Sequence, residues 1–269
     1  MSGSLLVSGN PGGEVRAVLE QLAGDAFRNI AALPDRSEER IHDIRVDMKK
    51  FRAVVRLAGG VLKARDLAGL DQCARAVKEG FGAARDREVQ LDLLRKLLGQ
   101  RKADEVAGAF AGSCEEPVHD WTPSQKACSQ LSALVTRADL AKLTRGQVLE
   151  AWLASYRAAR RTMLACLKND GDDFLFHEWR KRVKQLLYQS LVIGPPADRL
   201  AAASQKLSST LGSQHDLALL CENIYLCGRE AELLAVEKKH KTAQLALHLG
   251  ERIFREKPRG LLKMLDLHE

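Results

Sequence analysis

Apolar residues recur at three- and four-residue steps through most of the chain, and strand-type alternation is scarce. The pattern is sharpest between His42 and Leu57. At about 100° per residue, Ile44, Met48, Phe51 and Val55 share a helix face spanning roughly 60°. His42, Arg45, Lys49, Arg52 and Arg56 share the neighbouring face, spanning roughly 80°. A surface helix usually mixes Glu with its Lys and Arg, because like charges one turn apart repel by a few tenths of a kcal/mol. Here four cations follow one another with no acid between them, and Asp43 and Asp47 lie off the basic face. An extended anion along the stripe would account for this arrangement.

The pattern returns 135 positions later. His177, Arg180 and Lys184 repeat His42, Arg45 and Lys49, while Trp179, Val183 and Leu186 repeat Ile44, Met48 and Phe51. Recurrence of the imidazole, cations and apolar stripe in register implies an internal duplication. Gly82 to Asp86 and Gly212 to Asp216, 130 positions apart, form a second matched element. Its Asp can orient a cation or cap a helix, and the cap is the simpler reading.

Residues 1–13, rich in Gly and Ser with Pro11, predict a loose arm. A helix follows over 14–32, and Leu33-Pro34-Asp35 breaks it. Ser37 with Glu38 and Glu39 signals the start of the basic helix, and Gly59-Gly60 its kink or end. Residues 67–98 read as helical with a break at Gly80-Phe81-Gly82. Residues 100–143 are the least patterned, with a loop from Gly112 to Pro123 anchored by Trp121. Thr144 reads as the N-cap of a helix over 145–167, and Asn169-Asp170-Gly171-Asp172 as a turn. The second basic helix runs to Val192, before Gly194-Pro195-Pro196. Further helices fit 197–211, 215–236 and 240–265. The expected fold is an all-α helical bundle of two similar halves, related by pseudo-twofold symmetry around a basic central groove or pore. After the arm, one domain covers 14–269, its halves about 14–110 and about 144–269, joined by an insertion or linker at about 111–143.

Composition adds little to this picture. A net charge of +7 suits a phosphate-bearing partner, although a basic protein with no polyanion partner fits it equally. The six cysteines, at 73, 114, 128, 166, 221 and 227, form no Cys-x-x-Cys pair. They read as small buried hydrophobes in a reducing compartment, with no zinc site. Neither a metal nor a cofactor is expected. Residues 1–13 lack the charged and apolar regions of a secretory signal, and no apolar run approaches the roughly 18 residues of a membrane span. The expected location is cytoplasmic.

The paired motifs resemble the CHAD domain, the histidine-containing α-helical domain. Its hallmark is a helix beginning His-x-x-Arg with further cations at helical spacing, present twice. Here these are His42-Asp43-Ile44-Arg45 with Lys49, Lys50, Arg52 and Arg56, and His177-Glu178-Trp179-Arg180 with Lys181, Lys184 and Tyr188. The Arg85-Asp86 segment and Gly250-Glu251-Arg252-Ile253-Phe254 are similar to the family too. The resemblance covers nearly the whole chain after residue 13. It implies two four-helix-type halves around a basic central channel that binds inorganic polyphosphate, often at polyphosphate granules. The second copy departs from the first at Gln185 and Leu187, which stand where Lys50 and Arg52 do, so the halves are expected to grip unequally. Some relatives carry a triphosphatase-type domain rich in alternating Glu. Glu230-Ala231-Glu232 is the only hint of one, and no such domain is expected.

The residues suit that polymer. From 42 to 56 a helix rises about 21 Å at 1.5 Å per residue, on the order of a handful of phosphate units. Arg offers forked donors, Lys a point charge, and His a neutral donor or a further cation. The expected binding residues are the two stripes with Lys50, Arg85, Lys181, Tyr188, Arg252, Arg255 and Lys257, and more weakly Arg157, Arg160 and Arg161. Each has a plainer alternative. His42 and His177 could be structural, and Lys50 and Lys181 merely solvated. The three arginines could form a solvated face. Arg252, Arg255 and Lys257 could serve a helix C-terminus, and Tyr188 could be a packing residue.

The primary reading is non-enzymatic polyphosphate binding. A nucleic-acid binder would add stacking aromatics or Asn/Gln on a recognition helix, and the stripes lack both. A metal-dependent polyphosphate hydrolase or kinase would need clustered carboxylates or a glycine-rich phosphate loop. Only Asp86 and Asp216 occupy matched positions. A helical scaffold contacting an acidic protein is the remaining alternative.

Overall fold

The computed structural model describes residues 9–33, 37–81, 84–110, 120–169, 172–222 and 224–264. The first helix, α1 (Pro11–Ala31), starts where the Asn10 side chain accepts a 2.9 Å hydrogen bond from the Gly13 amide, with Pro11 in its first turn. The loose arm expected over 1–13 is therefore corrected: residues 11–13 are helical, and 1–8 lie outside the described residues. Gly12 serves close packing, since a Cβ there would stand 2.0 Å from the Leu140 carbonyl oxygen.

Ten further helices follow: α2 (Ser37–Val55), α3 (Ala64–Glu79), α4 (Ala84–Leu98), α5 (Gln100–Phe110), α6 (Thr122–Arg137), α7 (Arg145–Lys168), α8 (Asp173–Ile193), α9 (Asp198–Cys221), α10 (Arg229–Ile253) and α11 (Pro258–Met264). No strand occurs among the described residues, and the fold is an all-α helical bundle. A 3-10 turn over Arg56–Ala58 extends α2 to Gly59. Thr144 and Gln147 close a reciprocal capping box on α7.

Three expected boundaries differ. The stretch 111–143, expected as a linker, contains α6, whose Leu131 and Val135 are fully buried. Its buried face, Ser124, Ala127, Cys128, Leu131 and Val135, recurs at helical spacing. Gly212 does not break α9, because one glycine costs a well-packed helix only about 1 kcal/mol. The last break falls at Gly228, whose φ of 91° excludes helix, so 229–253 is one helix through the polar residues 237–241. The Pro34-Asp35 and Asp170-Gly171 breaks and most of the Gly112–Pro123 loop lie outside the described residues. Trp121, at the edge of that loop, stacks on Phe81 with ring centroids 4.7 Å apart.

Each half closes a ring of four helices. In the first, α1 packs on α2, α2 on α3, α3 on α6 and α6 on α1. In the second, α7 packs on α8, α8 on α9, α9 on α10 and α10 on α7. The rings meet where α2 crosses α8, and one core runs through both, from Leu19, Met48 and Phe51 to Trp152, Trp179 and Leu211. Burying a side chain of the Phe51 kind stabilises by about 1.5–3 kcal/mol. At the junction the buried Gln189 donates to the Ala53 carbonyl at 2.9 Å. On the far side of α8, Gly250 lets α10 reach Trp179, where a Cβ would stand 2.5 Å from the indole. The hairpin of α4 and α5 leaves the first ring and packs on the second. There Leu94 and Ala103 join Leu220, Ile224, Ala231 and Ala235 in a separate small core.

Candidate functional site

The apolar stripes orient the two basic helices. Ile44, Met48 and Phe51 are fully buried, as are Trp179, Val183 and Leu186. The adjoining basic stripes consequently turn toward the space between α2 and α8. A cavity of about 730 Å³ opens there. From α2 and its 3-10 extension it receives His42, Arg45, Lys49, Arg52 and Arg56, and from α8 His177, Arg180, Lys181, Lys184 and Tyr188. Both stripes thus reach one site.

Other lining residues were not singled out from the sequence as contacts. Arg75 and Lys78 enter from α3, Arg182 and Gln185 from α8, and His215 and Asp216 from α9. The matched Gly212 to Asp216 segment was the one signal for the last two. For Arg75 and Lys78 the spacing resembles that of any solvated helix, and only the packing of α3 on α2 brings them in.

The other expected residues whose side chains are described lie away from this cavity. Lys50 pairs with Asp47 at 3.3 Å. Arg157 pairs with Glu150, and Arg161 is exposed. Arg160 donates to the Phe254 carbonyl at 3.0 Å, and Tyr156 to those of Ile253 and Glu256 at 3.2 and 2.9 Å. These bonds tie the end of α10 to α7, which holds Arg252, Arg255 and Lys257 on an exposed rim. The side chains of Arg85 and Asp86 lie outside the described residues.

Within the cavity the cations are held in place. Asp71 of α3 accepts from Arg52 Nε and Arg75 Nε, both at 2.7 Å. Burial alone would raise its carboxyl, but the two guanidiniums bring it below the usual range. Arg56 donates to Gln185 at 3.0 Å, and Gln185 donates onward to Ser155 at 2.8 Å. Arg45 donates to the Phe81 carbonyl. Glu178 is engaged by Lys181 at 2.6 Å.

Crowding shifts several protons. Burial, then Lys184, Arg45, Arg180 and Lys78, lower the Lys49 ammonium to about 7. Burial, then Arg52 and Arg45, lower Lys78. His177 and His215 face each other with Nδ1 atoms 3.2 Å apart, and burial together with that neighbour lowers His177 to about 4. At neutral pH His177 is therefore a neutral ring. Burial raises the Tyr188 phenol, so it stays a donor. The site presents guanidinium, ammonium, hydroxyl and imidazole groups to one space, an array suited to accepting many anionic oxygens.

No group of three or more potential metal ligands occurs among the described residues, and none of their helices is long and apolar enough to cross a membrane. Cys128 and Cys166 are buried, while Cys73, Cys221 and Cys227 are half-buried. Cys114 lies outside the described residues.

No curated protein sequence matches the chain. A family model, that of the CHAD domain, matches residues 16–224, a span that includes both His-x-x-Arg helices and every lining residue of the cavity. That span is most of the chain, and the chain belongs to the CHAD domain family.

Proposed function

We propose that this protein binds inorganic polyphosphate, without turning it over, in the cavity between α2 and α8. CHAD domains as a family are associated with polyphosphate. The observation that carries the reading to these residues is the convergence of cations from α2, α3 and α8 on one space, where burial first and then these neighbours depress Lys49 to about 7. A fold keeps such mutual repulsion when a counter-charge from outside relieves it. Polyphosphate supplies one charge per repeat and no bases. The lining matches that chemistry, since Tyr188 is its one aromatic ring besides imidazoles. Its two carboxylates are Glu178, already paired, and Asp216, a sparse set for a hydrolase or kinase. Cytoplasmic location at polyphosphate granules would follow from the binding.

Calorimetry with polyphosphate at two salt concentrations, with RNA as control, tests the reading. The variant Arg45→Ala, Lys49→Ala, Arg180→Ala, Lys184→Ala should lose on the order of 10³-fold in affinity, from charge-assisted bonds of about 1.5–3 kcal/mol each with incomplete additivity. The wild-type affinity should fall steeply with salt. Equal binding of RNA would favour the nucleic-acid reading, unchanged binding by the variant would remove the cavity from the account, and phosphate release with Mg²⁺ would make the protein an enzyme.

A further inference from the structure

Two of the imidazoles lining the cavity form a pair across a helix contact. His177 of α8 and His215 of α9 stand with Nδ1 atoms 3.2 Å apart and ring centroids 4.3 Å apart. At that distance one neutral ring donates its Nδ1–H and the other accepts. A first added proton leaves the bond intact, with the donor now an imidazolium. A second would set two N–H groups against each other and part the rings. The pair is therefore a seat for one extra proton. In the protein alone, burial, then His215, Lys181 and Arg180, oppose charge on His177, and Glu178 favours it. Lys181 holds Glu178 at 2.6 Å. Asp173, one turn before His177, accepts from Gln214 of α9 and Lys239 of α10, both at 2.8 Å. Asp216 adjoins His215 in sequence. The facing helices bring His42, Arg45 and Lys49 from α2 and Lys78 from α3, and no described residue of α4, α7 or α10 lines the cavity. A polyanion seated against these cations reverses the balance, because it offsets Arg180 and Lys181 and adds negative charge beside the rings.

We propose that His177 and His215 act as one proton-coupled contact, taking up a single shared proton when polyphosphate occupies the cavity, so that acid tightens its binding. This regulation rests on the proposed function. The coupling is reciprocal: an anion that strengthens the pair's hold on a proton is itself held more tightly once the proton is on. The bound pair keeps its proton to a higher pH than the free pair. Affinity therefore rises as pH falls through the bound midpoint and levels off below the free one. Lys49 answers in a separate window, at and above about 7, where its own ammonium loses its proton.

The test is imidazole NMR on the full-length protein, labelled with nitrogen-15 at histidine and titrated from about pH 7.5 to about 5. It is run alone and with saturating short polyphosphate at matched ionic strength, and His177→Gln and His215→Gln assign the signals. With polyphosphate the midpoint of the pair should rise by at least about one pH unit, a tenfold gain in proton affinity, and both rings should move together. A midpoint unmoved by bound polyphosphate overturns the proposal, and so does independent titration of the two rings. Calorimetry on the same samples reads the consequence. Polyphosphate should bind several-fold more tightly at about pH 5 than at about 6.5, and His177→Gln with His215→Gln should remove most of that gain. An equal gain in the double variant would place the proton elsewhere and overturn the proposal. Binding with unmoved imidazoles sinks this inference and leaves the proposed function standing. Absence of binding at every pH sinks the proposed function, and calorimetry tells the two failures apart.

Discussion

The stripe on α2 continues through Arg52 and Arg56, and a carboxylate on the neighbouring helix, Asp71, offsets Arg52 and Arg75 at its far end. On α8 the positions matching Arg52 and Arg56 are Leu187, which is buried, and Leu191, which is exposed. Gln185 stands opposite Lys50 in the repeat, and its amide holds Arg56 of the first half rather than adding a charge. The imidazoles differ too, His42 being exposed and His177 packed against His215. Likeness of the two stripes in sequence does not extend to their electrostatics. The first half supplies charge along its full length, and the second supplies charge at one end and neutral positioning groups at the other.

The largest test of that contrast removes the part the second half lacks. Arg52→Ala with Arg56→Ala should weaken polyphosphate binding on the order of 10²-fold by calorimetry. No loss would mean that only the three matched positions matter and the halves act alike. Next comes the core contrast behind the stripes, where Trp179 replaces Ile44. Gly250→Ala drives a methyl to 2.5 Å from the Trp179 ring and 2.9 Å from the Met163 sulfur. It should cost about 1–3 kcal/mol in denaturant unfolding. Gly212→Ala meets only the Arg180 guanidinium at 3.8 Å and should stabilise by up to about 1 kcal/mol from helix propensity.

The imidazoles offer a pH test. The folded His177 binds its proton only near pH 4, whereas an unfolded histidine does so near 6.5. Between those values the unfolded state holds more protons, so stability is complete above 6.5 and is lost as pH falls toward 4. The melting temperature should decline over that window, His177→Gln should flatten the decline, and His42→Gln, at an exposed ring, should retain it. The smallest effect concerns Asp71. Asp71→Asn frees charge at the far end of the stripe and should raise polyphosphate affinity by up to about fivefold, with a slight fall in melting temperature. A weaker affinity would mean that Asp71 positions Arg52 and Arg75 more than it neutralises them.

Much of the fold was legible because helix periodicity records burial one residue at a time. Ile44, Met48 and Phe51 named the core face of α2, and the register of Trp179, Val183 and Leu186 named that of α8. Local chemistry also fixed an end, as at Thr144. The convergence of ten expected residues on one cavity follows from those two faces together with the crossing of α2 and α8. The rest depended on contacts distant in sequence. Arg75 and Lys78 join the cavity through helix packing that no spacing encodes. Arg160 looked like part of a basic face and instead binds a backbone carbonyl 94 positions away. Gly12 fell in the expected loose arm, and Gly250 stood out only as part of a family-like stretch, yet each marks a point where another segment presses close.

The α4–α5 hairpin has a consequence for dividing the protein. It belongs to the first half in sequence and rests on the second in space, so a cut between α6 and α7 does not yield two self-sufficient pieces. The amino-terminal fragment would expose the apolar side of Leu94 and Ala103, and the carboxy-terminal fragment the matching surface at Leu220, Ile224 and Ala235. Separately expressed, the fragments should be aggregation-prone. Expressed together, they carry the clasp that would let them reassemble, and any split version of this protein would have to retain it.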